Sequence, residues 1–132
     1  MKSYLIDTHI LIWYLFEPSK LSKDVCNILE NEINIYVSLA NLWEISIKYG
    51  LGKLDLNTLL PENLPEICLK YNFKILPLSI DEVSSYHQLK SFHHKDTFDR
   101  ILIWQAIKNN FTLISNDVNM SPYTSDGLQL LW

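Results

Sequence analysis

Asp96 and Asp99 stand three residues apart at the head of HHKDTFDRILIWQA (93–106), and three further acids hold comparable positions. Asp7 closes the apolar run YLI, Glu44 sits inside LANLWEISIKYG, and Asp117 follows FTLIS in the segment SNDVN. Each has an ordinary explanation when taken by itself. Asp7 and Asp96 suit helix N-caps, Asp99 a negatively charged first turn, Glu44 an ion pair with Lys48 one turn on, and Asp117 a turn shared with Asn119. Two placements argue for more. Asp99 shares a helical face with Leu102, Ile103 and Ala106, and Glu44 shares one with Ala40, Ile47 and Leu51. A carboxylate heading or interrupting an apolar stripe is expensive to bury without a partner.

If these acids converge, their like charges oppose one another's ionisation. A hard divalent cation such as Mg2+ or Mn2+ resolves the conflict, because it prefers oxygen donors and takes carboxylates together with water and substrate phosphate. Two such ions can activate water for in-line attack on phosphorus and stabilise the leaving oxygen. Phosphodiester hydrolysis is therefore the chemistry these residue types suit.

What must position the acids is an alternation of short strands and helices. YLI (4–6), NIYVS (34–38), FKILPL (73–78), FTLIS (111–115) and LQLLW (128–132) read as strands. Between them, HILIWYLF (9–16), SKDVCNILEN (22–31), LANLWEISIKYG (39–50), residues 61–71, residues 79–89 and residues 97–109 read as helices, with a serine cap at the front of 22–31, a proline at the start of 61–71, and Gly50 and Asn109-Asn110 at the stops. The expected architecture is α/β: a three-layer α/β/α sandwich around a mostly parallel sheet of four or five strands, in one domain spanning 1–132. In such sheets ligands bind outside the carboxyl ends of the strands, which is where Asp7 and Asp117 fall.

Composition narrows the classes further. Hydrophobic residues make up 48% of the 132-residue chain and charged ones 20%, which excludes disordered and fibrous proteins. No apolar run approaches the ~20 residues of a membrane span, and MKSYLIDTH meets an acid too soon for a secretory signal, so a cytoplasmic protein with no membrane partner is expected. Cys26 and Cys68 have no paired spacing and read as packing residues. A formal net charge of -4 argues against a broad basic nucleic-acid surface while permitting local contacts. The single arginine, Arg100, directly follows Asp99, where it suits a carboxylate, a substrate phosphate or a structural salt bridge. Trp13, Trp43 and Trp104 lie in apolar stripes and read as core or interface.

The segments LIDTHILIW, SLANLWEISIKYGLGKL, HHKDTFDRILIWQA, FTLISND and LQLLW resemble, in order and spacing, the PIN-domain toxins of bacterial type II toxin–antitoxin systems, the VapC-like ribonucleases. The resemblance covers nearly the whole chain. It implies a metal-dependent endoribonuclease with a four-acid site on a Rossmann-like sandwich, using Mg2+ or Mn2+ to cut RNA, inhibited by a cognate antitoxin and forming a homodimer. Carried over by position, Asp7, Glu44, Asp99 and Asp117 match the catalytic, metal-holding acids. Ser115 stands where the family usually has threonine. Asp96 matches the first aspartate of a DPFDR-type motif and is a supporting acid, with Thr97 in place of the usual proline. His93 and His94 read as loop residues near RNA rather than as the acid or base, since a metal-activated water needs no imidazole. Two other classes compete. A catalytically inactive PIN-like module would bind RNA or protein without a magnesium site. A phosphoacceptor domain would need adjacent acids after strand one and a lysine after the last strand, and neither is present.

Overall fold

The computed structural model describes residues 1–90 and 96–132. Five short strands, β1 (Tyr4–Ile6), β2 (Ile35–Ser38), β3 (Lys74–Leu76), β4 (Thr112–Ile114) and β5 (Gln129–Leu131), form one sheet in the order β3-β2-β1-β4-β5. Every neighbouring pair is parallel. Six α-helices are described: α1 (Thr8–Phe16), α2 (Lys23–Asn31), α3 (Leu39–Gly50), α4 (Leu64–Lys70), α5 (Ile80–Ser85) and α6 (Thr97–Asn109). The α/β sandwich expected from the alternation is thus present, with a wholly parallel sheet.

Alternation along β1 makes the three layers. Tyr4 and Ile6 enter a core with α1, α2 and α4 through Ile10, Leu11, Val25, Leu29, Leu64 and Cys68, while Leu5 points the other way, to Leu102, Ile103, Ala106, Leu113 and Tyr123. Each of these fully buried aliphatics contributes about 1.5–3 kcal/mol. Helix α3 serves both cores, with Ile45 in the first and Ala40 in the second. It therefore lies across the end of the sheet rather than on one face.

The connections explain where a site can form. From β1 the chain steps outward through β2 to β3, then returns past β1 to add β4 and β5 on the other side. The direction of winding thus reverses between β1 and β4, whose carboxyl ends are left flanked by diverging loops. Ile6 pairs with Ile114, so Asp7 and Ser115 emerge side by side at that reversal.

Local signals set the key helices. Ser38 caps α3, accepting from the Ala40 N–H at 3.0 Å, and Asn41 returns the bond to the Ser38 N–H at 2.7 Å. Asp96 caps α6 through the Phe98 and Asp99 N–H groups at 2.8 and 3.1 Å, and Asn110 ends that helix in the left-handed conformation, φ 56°. Some expected elements are broken up. Residues 61–71 divide into a 3-10 turn and α4, and residues 79–89 into α5 and a 3-10 turn, while Val118–Asp126 forms 3-10 turns that sequence periodicity does not announce.

Candidate active site

The carboxylates of Asp7, Glu44, Asp96, Asp99 and Asp117 line one cavity of about 280 Å³ at the reversal point, together with Thr8, His9, Ile12, Lys48 and Leu54. The acids arrive from separate elements: the end of β1, the middle of α3, the start of α6 and the segment after β4. All four of the predicted principal acids, and Asp96 with them, are therefore brought together.

Asp7 is 2% exposed and held from three sides. It caps α1 by accepting from the Thr8 N–H at 2.8 Å, accepts from Ser115 Oγ at 2.7 Å, and lies 3.3 Å from His9 Nδ1. Ser115 Oγ in turn accepts from the Asp117 N–H at 3.1 Å, so one hydroxyl sets the spacing between the β1 and β4 acids. Asp117 caps the following 3-10 turn through the Asn119 N–H at 2.9 Å. Glu44 is 4% exposed: Thr8 Oγ1 donates to its Oε1 at 2.5 Å and Lys48 Nζ lies 2.6 Å from its Oε2. The relay begins further back, since Asn41 Nδ2 donates to Thr8 Oγ1 at 2.9 Å while its other amide atom completes the α3 cap. The same asparagine thus starts the helix and orients the acid one turn later.

The electrostatics report crowding. Burial, followed by the charges of Asp7, Asp96, Glu44 and Asp117, pushes the Asp99 carboxyl up to about 7. Burial also raises Asp7, against the downward pull of His9, Ser115 and the Thr8 N–H. Lys48 is raised, first by its bond to Glu44 and then by Glu44, Asp96 and Asp99 acting through space.

This donor set fits a hard divalent cation. Every acid offers oxygen, and the crowding at Asp99 is the repulsion that such a charge relieves. As the side chains stand, no three His, Cys, Asp or Glu residues among those described are drawn close enough to hold an ion between them. One or two protein carboxylates suffice for magnesium, which keeps much of its water.

Several expectations need correcting in position. Arg100 is not among the residues lining the acid cavity. Its guanidinium is buried, donating to Leu89 O at 2.7 Å, to Tyr86 Oη at 3.0 Å and to Tyr123 Oη at 3.1 Å, so it ties α6 to the turns on either side. The face of α3 is also rotated. Ala40, Asn41, Glu44 and Ile45 are buried, whereas Ile47 and Leu51 face outward, and Trp43 is 59% exposed rather than core. Trp104 is buried, as the stripe predicts. His93 and His94 lie outside the described residues. The sequence reading overlooked Thr8 and Asn41, although a hydroxyl beside Asp7 and an amide one turn before Glu44 are the residue types that orient carboxylates. His9 borders the cavity as well, with Nε2 2.5 Å from Asn116 Oδ1. A second depression, about 190 Å³ between α3, α5 and α6, is walled by Trp43, Leu78, Val83, Phe98 and Ile101 and carries no acid.

A family model for the PIN domain matches residues 4–123. The chain belongs to the PIN domain family. No curated protein sequence matches it. Among solved structures, VapBC2 from Rickettsia felis, bound to a DNA fragment from its promoter, superposes with a TM-score of 0.71 at 20% identity, covering 98% of each chain. FitAcB from Neisseria gonorrhoeae gives 0.67 at 19% identity over 98% of this chain and 96% of that one. A toxin–antitoxin complex from Klebsiella pneumoniae gives 0.64 at 19% identity over 98% and 97%. At these identities the likeness is one of fold, and the PIN-domain part of the resemblance read from the motifs is borne out by the family model.

Proposed function

We propose that this PIN-domain protein is a divalent-metal-dependent endoribonuclease, the toxin of a type II toxin–antitoxin pair. The observation that carries the reading is the convergence of five carboxylates from four separate elements on one cavity at the reversal point of a parallel sheet. Asp7, Glu44, Asp99 and Asp117 are the residues that would hold Mg2+ or Mn2+, with Asp96 in support. When bound, such an ion supplies charge neutralisation at the scissile phosphate and a water acidic enough to attack phosphorus at neutral pH.

The chain's own side chains prepare for this. Ser115 and the Thr8 N–H fix both oxygens of Asp7, and Thr8 Oγ1 directs Glu44 inward. Asp96 spends one oxygen on the α6 cap, which sets the direction of Asp99 one turn on. Water adds to phosphorus, one P–O ester bond breaks, and the products are a phosphomonoester and a hydroxyl.

One structural neighbour is a toxin–antitoxin complex, and another, VapBC2, is bound to a DNA fragment from its promoter. By the same reading this chain works with a cognate antitoxin, as a homodimer, in the cytoplasm. No described helix is long and apolar enough to cross a membrane. The test is incubation of purified, antitoxin-free protein with total RNA in magnesium, in chelator, and as the Asp99→Asn variant. Discrete products are expected only from the unaltered protein in magnesium. Equal cleavage by the variant would overturn the assignment, and absence of products in every lane would favour a binding module.

A further inference from the structure

Two glutamate–lysine ion pairs in this protein share the same spacing and differ in distance and in the burial of the glutamate. Lys70 and Glu66, four residues apart on α4, meet at 4.0 Å with both side chains largely exposed. Lys48 and Glu44, four residues apart on α3, meet at 2.6 Å, and the glutamate is almost wholly buried. The first is an ordinary solvated helix pair. The second sets a half-exposed lysine at the rim of the acids: among the described residues lining the acid cavity, Lys48 brings the only ammonium group, facing Glu44 from its own helix and Asp96 and Asp99 from the start of α6.

Both Glu44 oxygens are committed in this arrangement, one to Thr8 Oγ1 and one to Lys48 Nζ. A divalent cation entering the cavity meets a resident positive charge and a glutamate already bonded to it. We propose that Lys48 is the built-in counter-ion of the acid cluster, a positioning residue that balances the carboxylates while the cavity is empty and competes with a divalent cation for Glu44. The inference rests on reading this cavity as a metal site.

Two effects of opposite sign follow from that competition. Without Lys48 the acids repel one another unopposed, so the ion-free protein loses stability. A divalent cation, relieved of its competitor, binds more tightly. A lysine whose role is only to stabilise α3 would give the loss of stability without the gain in affinity.

The experiment is titration of the full chain with Mn2+ alone, free ion being read by electron paramagnetic resonance, for the unaltered protein and the variants Lys48→Met, Lys48→Arg and Asp99→Asn. Lys48→Met is expected to lower the Mn2+ Kd about tenfold, the scale of removing one unit charge from the rim of such a cluster. Lys48→Arg keeps the charge and should stay within about twofold of the unaltered protein. Lys48→Gln carries the same expectation as methionine, so a methionine variant that fails to fold leaves the question answerable. An unchanged or weaker Kd in folded Lys48→Met and Lys48→Gln would overturn the proposal while leaving the metal site standing. Binding by neither the unaltered protein nor these variants would overturn both readings. Binding only after Lys48 is replaced would support the competition and remove the native metal site from the proposed function.

Discussion

Helix α6 meets buried acids along two stretches, and the protein treats them in opposite ways. Against its C-terminal half, Glu82 from α5 is buried and fully attended: Gln105 Nε2 donates at 3.0 Å, Asn109 Nδ2 at 2.6 Å, and the Ser79 N–H closes a capping box at 3.0 Å. Burial pushes the Glu82 carboxyl up, but the hydrogen bonds from Ser79, Asn109 and Gln105 outweigh it and leave it below the ordinary range. At the N-terminal end, burial and four neighbouring acids drive Asp99 up to about 7. A structural acid is surrounded by donors. An acid set among four others, with one ammonium group, that of Lys48, in the same cavity, is poised for a cation of higher charge, and such perturbed groups in a cleft mark sites of function.

The comparison can be broken most directly by activity. Asp7→Asn and Asp99→Asn should each lower RNA cleavage by about a hundredfold or more, whereas Glu82→Ala should retain it in the protein that remains folded; cleavage of labelled RNA in magnesium measures both. Comparable losses at all three positions would erase the distinction between the two ends of α6.

A smaller effect is expected from ion binding itself. Mn2+ at a hundredfold excess over its Kd should stabilise the unaltered protein by about 2.7 kcal/mol and Asp99→Asn by much less, as read by thermal unfolding with and without the ion. Next comes the structural acid. Removing Glu82 takes the side-chain acceptor from the Ser79 N–H and leaves Gln105 and Asn109 only their backbone acceptors, Pro77 O and Gln105 O, which should cost about 2 kcal/mol and lower Tm by roughly 8 °C.

The smallest signal is a slope with pH. Asp99 holds its proton more tightly folded than unfolded, so as pH rises from the unfolded value of 3.8 towards about 7 the folded state gives up stability, and above that range the loss is complete. In chelator, Asp99→Asn should match the unaltered protein near the lower limit and exceed it at pH 8. The group is only half-buried, so solvent screening limits the difference to about 1 kcal/mol, roughly 4 °C in Tm. A variant less stable than the unaltered protein at pH 8 would show that Asp99 is a structural acid after all.

Much of this arrangement was legible in the residues. The bounds of α3 and α6 follow from Ser38 and Asp96 in front and Gly50 and Asn110 behind, because caps act through local hydrogen bonds that neighbouring sequence determines. The acids at strand ends were visible for the same reason. What was not legible depends on the third dimension. Helix α3 spans the end of the sheet and packs on two cores, so its buried side is not the one with the most apolar residues, and Trp43 lands outside. Arg100 follows Asp99 in sequence but lies about a quarter-turn round the helix, which carries it to Tyr86 and Tyr123 instead of the cavity. The Asn41–Thr8–Glu44 relay joins residues 33 and 36 positions apart, beyond any local pattern.

Three of the acids double as caps: Asp7 for α1, Asp96 for α6 and Asp117 for the turns after β4. Asparagine caps a helix nearly as well as aspartate, so replacing either residue type by the other leaves the scaffold standing while the charge disappears. An aspartate codon becomes an asparagine codon by one G-to-A transition, whereas alanine needs an A-to-C transversion and gives no cap. On the proposed function, harmless alleles of this gene in a growing population should therefore gather at positions 7 and 117 as asparagine more often than as alanine, and the protein they encode would be folded, abundant and silent. On the same reading such a product would still present the surface of the active form, and would soak up the antitoxin proposed to restrain it.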